Sequence, residues 1–256
     1  MDKYLIFVDV DGTITQSSGR EVSQAVIDEV NRLKSLGHKL IITTGRTLTC
    51  TLNVKGIECF DYFAVMFGCV IFDESDNSVK VLTKSMNKND LQKFVQYLIS
   101  NNYNWTYKDK LTDKSIVLDQ TFLTKYDAKS INEKELQQDI DNERIYQLLI
   151  ETDNFDEKII NSYPNFNFIK MPDNYYDVTV KGAQKSKAID YFKKLYPNYK
   201  TISIGDSNND IDMLTKTDIS IAMGNASDEI KNITTFVTKS ISEDGFVYAF
   251  KDLLKL

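Results

Sequence analysis

Tyr4-Leu5-Ile6-Phe7-Val8-Asp9-Val10-Asp11-Gly12-Thr13 opens the chain with an apolar run that ends abruptly on two carboxylates, a glycine and a hydroxyl. An apolar run of this length reads as a strand covered on both faces. An unpaired carboxylate is costly to bury, so two of them closing such a run need a cation, a cage of hydrogen bonds or a mouth open to water. In extended backbone residues i and i+2 point the same way, which lets Asp9 and Asp11 approach one site at the strand's C-terminal end. Gly12 permits a sharp turn, and Thr13 adds a hydroxyl beside backbone N–H groups that could face an anion. Ordinary Asp-Gly turn chemistry after a buried strand is the alternative.

Working outward, apolar residues recur at helical spacing over 21–36, Gly37 supplies a stop, and 39–43 reads as a second buried strand. Strand, helix, strand implies a parallel crossover. The second strand runs into Thr43-Thr44-Gly45-Arg46, and a third, near 199–204, runs into Gly205-Asp206-Ser207-Asn208-Asn209-Asp210. Ligands of open parallel sheets bind at those carboxyl ends, so the three polar endings share one crevice. Further strands are expected at 62–67 and 70–72 with a polar turn at 73–78, and the crossover rhythm resumes with a helix over 185–195 and closing elements near 218–222, 236–237 and 246–254.

Between about 82 and 180 the texture becomes richer in Asn, Lys, Asp and aromatics and loses that rhythm. Helices are expected around 91–98 and 133–140, and strands at 105–107, 115–118, 145–150, 165–169 and 175–180, an α+β pattern. The expectation is therefore an α/β protein: a three-layer, doubly wound parallel-sheet core formed by residues 1–81 and 181–256, interrupted by an α+β insert over 82–180.

The 256 residues, 42% hydrophobic and 27% charged, have the balance of a globular protein. With 31 Lys plus Arg against 37 Asp plus Glu and no basic block, nucleic acid and anionic membranes are disfavoured as partners, and small anionic ligands stay open. One histidine, His38, and three cysteines without a CxxC pair give a zinc site or disulfide framework little to work with. No apolar run approaches the roughly 18 residues of a membrane span, and the first strand begins too early for a signal peptide, so a cytoplasmic setting is expected.

Asp9, Asp11, Asp206, Asn209 and Asp210 are hard oxygen donors of the kind Mg²⁺ prefers, with Thr44, Arg46 and a lysine at the start of the 185–195 helix to meet an anion. Taken together, Asp9-Val10-Asp11-Gly12-Thr13, Thr44-Gly45-Arg46, Lys185 and Gly205-Asp206-Ser207-Asn208-Asn209-Asp210 resemble the four motifs of the haloacid dehalogenase superfamily, and within it the Cof-type, C2-capped sugar-phosphatase branch with a Rossmann-like core. That resemblance implies a Mg²⁺-dependent phosphatase of small phosphorylated metabolites. Asp9 would be the nucleophile that becomes an aspartyl phosphate, Asp11 the general acid and base, and Thr44 and Lys185 the groups on the transferring phosphoryl oxygens. Mg²⁺ would be held by Asp9, the Asp11 carbonyl and Asp206, with Asn209 and Asp210 in support, and Gly12, Thr13, Gly45, Arg46, Asn209 and Asn225 would line the phosphate site.

Several points stay open on residues alone. Lys181 and Lys187 flank Lys185, and any of the three reads equally as a solvated surface charge. Arg46 could clamp the substrate anion or pair with a nearby acid, and Asn225 could face phosphate or cap the following helix. Two departures from the branch are visible: Phe67-Gly68-Cys69 stands where Asn-Gly-Ala is common, and Val180 where Pro commonly precedes Lys-Gly. A phosphomutase of the same superfamily is the nearest alternative activity. A phosphorylation-receiving signalling domain is the more distant one, disfavoured by the second aspartate at position 11.

Overall fold

Strand β1 (Tyr4–Val8) has no polar face, and a strand of that kind is stable only when covered on both sides. The computed structural model, which describes residues 2–16, 19–109, 113–115, 129–171 and 174–256, places it in the middle of a sheet with Leu5 to Val8 fully buried. Helix α1 (Gln24–Ser35) follows, its first turn capped by the Ser23 hydroxyl, which accepts from the Val26 N–H at 3.3 Å. It stops at Gly37 in the left-handed region, and the chain returns as β2 (Lys39–Thr43), β3 (Tyr62–Val65), β4 (Val70–Asp73) and β5 (Ser78–Val81).

Contacts along the chain separate two compact units, one of Met1–Arg46, Thr51–Leu82 and Gln184–Leu256, the other of Thr47–Cys50 and Thr83–Ala183. The second unit contains α2 (Lys88–Ser100), β6 (Asn104–Lys108), β7 (Asp113–Ser115), β8 (Lys129–Ser130), α3 (Glu133–Asp141), β9 (Gln147–Glu151), β10 (Phe166–Met171) and β11 (Tyr175–Val180). The first unit then resumes with α4 (Ser186–Leu195), β12 (Lys200–Gly205), β13 (Ile219–Ala222) and β14 (Phe236–Val237).

In the first unit eight strands run in the order β14-β13-β12-β1-β2-β3-β4-β5. The six from β14 to β3 are parallel, and β4 and β5 extend the sheet as antiparallel strands. Val8 lies opposite both Ile42 on β2 and Ile204 on β12, so three strand ends are level. In the second unit the order is β10-β11-β9-β6-β7-β8. One face of that sheet carries Trp105, Tyr107, Leu148, Ile150 and Val178 into a core shared with α2 and α3, where Phe94 packs against Tyr163 and Phe168 at ring-centre distances of 4.8 and 5.6 Å. The strand pairing puts Thr106, Gln147, Asp177 and Thr179 on the other face, all buried. No helix among the described residues is long and apolar enough to cross a membrane.

The polar stretch expected as a turn at 73–78 is followed directly by strand β5, in which all four residues are exposed. An edge strand with both faces in water has no alternation to read. The strand expected at 115–118 begins at Asp113, and 116–118 lie outside the described residues. Short helices at Leu48–Leu52 and Glu157–Ser162 were not expected either, each too short to establish a period.

Glu29 is the exception on the buried stripe of α1, which otherwise consists of Val26, Val30 and Leu33. Its carboxylate is fully buried because Arg32 grips both oxygens, at 2.9 and 2.5 Å, with Lys251 3.7 Å away. Removing one partner of a buried pair leaves a desolvated charge, at a cost of roughly 3–5 kcal/mol when burial is complete. Arg32 is one-third exposed and Lys251 remains, so Arg32→Ala should destabilise by about 2 kcal/mol. Adding Glu29→Leu should recover most of that loss in thermal unfolding; a double variant less stable than Arg32→Ala would contradict this account.

Candidate active site

The site grows from the three level strand ends. Asp9 follows β1 and donates its N–H to the Ile204 carbonyl of β12 at 3.1 Å, which ties the first strand end to the third. Val10 is buried on the opposite side from Asp9, as strand alternation requires. The chain then turns back through Gly12, at φ +80°, with the N–H groups of Ile14 and Thr15 both donating to the Val10 carbonyl at 3.0 Å. Only glycine suits position 12 on two counts, since a Cβ there would sit 2.2 Å from an Asp206 carboxylate oxygen as well as strain the backbone.

Of the three neighbouring lysines, Lys185 is the one drawn into this cluster. It is fully buried, whereas Lys181 is exposed and Lys187 partly so. It stands immediately before α4 and donates to Asp9 Oδ1 at 2.5 Å and to Asp210 Oδ1 at 2.6 Å. The first N–H of α4, on Ser186, donates to Asp212 Oδ2 at 2.7 Å and anchors the helix start. Asp210 is a bracket: its other oxygen accepts from the N–H groups of Asp206 and Ser207, both at 3.1 Å, so the β12 loop and Lys185 are held by one carboxylate. Thr13 donates to Asp9 Oδ2 at 3.3 Å and lies 3.5 Å from Asp206 Oδ1.

Asp11 is turned outward from this cluster, its side chain 38% exposed, and Arg46 engages both its oxygens at 2.9 and 2.6 Å while also donating to the Gly19 carbonyl at 3.0 Å. Of the two roles open to Arg46, pairing with an acid is the one seen. Thr44 is buried, and its hydroxyl accepts from the Arg46 N–H at 3.1 Å. Asn225 does not cap the helix that follows it; Ser227 does, accepting from the Ile230 N–H at 3.4 Å. Asn225 instead donates to the Gly12 carbonyl at 2.9 Å and accepts from the Ile241 N–H at 3.0 Å. The Asn209 side-chain oxygen accepts from the Ser207 hydroxyl at 3.1 Å. Asp212 was missed in the sequence, where nothing links it to a helix start 26 residues earlier.

Ligand oxygens of Asp9, Asp206 and Asp210 all lie within 4.8 Å of one another, with the single ammonium of Lys185 among them. Burial, then the charge of Asp210, pushes Asp206 up to about 7, with Lys185 opposing. The same two causes lift Asp9 well above the usual carboxylate range. Burial works against the Lys185 ammonium, but Asp210 and Asp9 outweigh it and raise its pKa, so the cation is kept. Negative charge is thus in excess, on hard oxygen donors, and a hard divalent cation fits both the charge and the donor chemistry.

The chain is similar to several known proteins over nearly all of its length. YkrA of Bacillus subtilis is 27% identical over 263 aligned positions, covering 99% of this chain and 98% of its own. A phosphoglycolate phosphatase of Nitrosopumilus maritimus is 25% identical over 260, covering 99% and 97%. Among solved structures, the subclass IIB sugar phosphatase BT4131 superposes with a TM-score of 0.82 over all of both chains at 21% identity, a likeness of fold. The sequence profile of the haloacid dehalogenase-like hydrolases matches residues 6–250, nearly the whole chain, and the protein belongs to that family.

Proposed function

We propose that this hydrolase is a Mg²⁺-dependent phosphatase that removes phosphate from a small phosphorylated metabolite, a sugar phosphate in the first instance, through an aspartyl phosphate on Asp9. The observation that carries the reading is Asp9 itself: a buried carboxylate held between Lys185 and Thr13 beside Asp206, with a second carboxylate two residues on. The names of two relatives, a phosphoglycolate phosphatase and a sugar phosphatase, support the substrate class. A reducing cytoplasmic setting suits Cys50, Cys59 and Cys69, which form no disulfide.

In the first step an Asp9 carboxylate oxygen forms a bond to phosphorus as the bond to the ester oxygen breaks. Asp11 gives that oxygen its proton, a role that requires it to swing out of the bidentate pair with Arg46, in which both its oxygens accept. Lys185 has three N–H donors and spends two of them on Asp9 and Asp210, which leaves the third for a phosphoryl oxygen. Thr44 stands at the neighbouring strand end for another. In the second step Asp11 takes a proton from water, whose oxygen displaces Asp9 from phosphorus and restores both carboxyl groups. When bound, Mg²⁺ held by Asp9, Asp206 and the Asp11 carbonyl, with Asn209 and Asp210 behind them, would supply the positive charge that lets a carboxylate approach a phosphoryl group.

Asp9→Asn should lower release of inorganic phosphate from a panel of sugar phosphates by at least about a thousandfold, the scale expected for loss of a nucleophile. A variant that keeps a tenth of wild-type turnover would sink the covalent route. Chromatography of the sugar product in the same assays separates hydrolysis from isomerisation, and interconversion of hexose 1- and 6-phosphates without phosphate release would favour a mutase.

The electrostatics give a second test. A carboxyl whose folded-state pKa stands near 7 rather than at its ordinary 3.8 stabilises the fold fully below the ordinary value and loses that contribution as pH rises toward 7. The metal-free protein should therefore melt at progressively lower temperature between about pH 4 and 7 and level off above. Mg²⁺ should raise the melting temperature more at pH 8 than at pH 5, and Asp206→Asn should flatten both effects. An unchanged Mg²⁺ shift in that variant would remove Asp206 from the metal site.

A further inference from the structure

The connection between β3 and β4 is unusual. Met66, Phe67 and Gly68 follow one another at φ +49°, +52° and +71°, three consecutive left-handed residues of which two are not glycine. Such residues are sterically disfavoured, and a hairpin that only had to reverse direction could use a two-residue turn with glycine or asparagine in those positions. The surrounding contacts show what the strained turn holds in place. The Phe67 N–H donates to the Thr44 carbonyl at 3.0 Å, and the Met66 N–H donates to the Arg46 carbonyl at 2.9 Å, so the turn grips the second strand end on either side of Gly45. The Phe67 ring fills the space where a side chain at position 45 would begin, since a Cβ there would lie 2.7 Å from the ring. On its other side Gly68 abuts the residue before Lys185: a Cβ at position 68 would lie 2.6 Å from the Gln184 carbonyl and 3.5 Å from that of Lys185.

We propose that the Met66-Phe67-Gly68 turn is the template that sets Thr44 and Lys185 at their working separation, with Phe67 and Gly68 as positioning residues for the two phosphoryl-binding side chains. The proposal rests on the function given above. Thr44 and Lys185 come from distant parts of the chain, and this one buried turn touches the backbone at both. The Phe67 ring packs directly over Gly45, so packing does the aligning at that strand end.

Two sets of variants test it, assayed with p-nitrophenyl phosphate and Mg²⁺ and with vanadate as inhibitor. Gly45→Ala drives a methyl into the Phe67 ring, and Phe67→Leu in the same chain removes the obstacle. Gly68→Ala drives a methyl against the Gln184 carbonyl. A misplacement of about 1 Å in a catalytic group can cost about a hundredfold, so a shift of about half that is expected to cost about tenfold. Gly45→Ala and Gly68→Ala should accordingly lose about tenfold or more in kcat with KM changed by less than about threefold, and vanadate inhibition should weaken in parallel. Gly45→Ala/Phe67→Leu should recover to within about threefold of wild type. Partial unfolding alone would lower kcat without altering the vanadate inhibition constant. Kinetics and inhibition of Gly68→Ala within about twofold of wild type, or a double variant no better than Gly45→Ala, would overturn the proposal. Crystal structures of wild type and Gly68→Ala provide a readout independent of turnover: Lys185 Nζ should move by about 0.5 Å or more from its place beside Asp9. An unmoved Nζ would overturn the positioning role even if no phosphate ester were hydrolysed, whereas an inactive wild type with a displaced Nζ in the variant would count against the phosphatase reading alone.

Discussion

An ammonium withdrawn wholly from water is tolerable only where negative charge meets it directly, and the structure of the first unit is organised around meeting that demand at Lys185. Its two partners come from opposite sides: Asp9 from the end of β1, Asp210 from the loop after β12. Taking away one partner of such a buried pair would strand the other at a cost of roughly 3–5 kcal/mol, a large part of a typical domain's stability. The cluster therefore cements the joint between α4, β1 and β12. The same compression leaves a surplus of carboxylate, and that surplus makes the site receptive to a cation.

Precision here comes from backbone more than from long side chains. β1, β2 and β12 end level with one another because they pair in register, and the residues just beyond them need no reach to converge. Gly12 can pass within touching distance of Asp206 because it has no side chain. Asp210 converts two loop N–H groups and one ammonium into a single rigid bracket. Asp11 is the counterpoint, its side chain partly exposed and held by Arg46 rather than drawn into the buried cluster.

Much of this was legible in the chain because an apolar run that ends on charge is a strong signal. Asp9, Thr44 and Asp206 each follow such a run, and the structure brings their strand ends together. Lys185 was harder, since its two lysine neighbours have the same chemistry and only burial tells them apart. The partners of Arg46 and Asn225 could not be read, because each depends on which of several nearby groups the folded loops bring within 3 Å. Strand β5 escaped because pairing with β4, not burial, makes it a strand. Nothing in Met-Phe-Gly announces three left-handed residues in a row; that conformation is imposed by tertiary contacts that outweigh local preference.

β5 also carries an obligation of a different kind. It is the last strand of the larger sheet, and Val79 and Val81 stand 41% and 42% exposed along it. A free edge with apolar side chains is a template onto which another chain can add a strand. Lys80 lies between those two valines, its ammonium 4.9 Å from the centre of the Tyr191 ring, and a charge set along an open edge is a common natural guard against such pairing. The consequence of a charge at position 80 is then colloidal rather than chemical: it bears on which chains can add to the sheet, not on what happens at the strand ends.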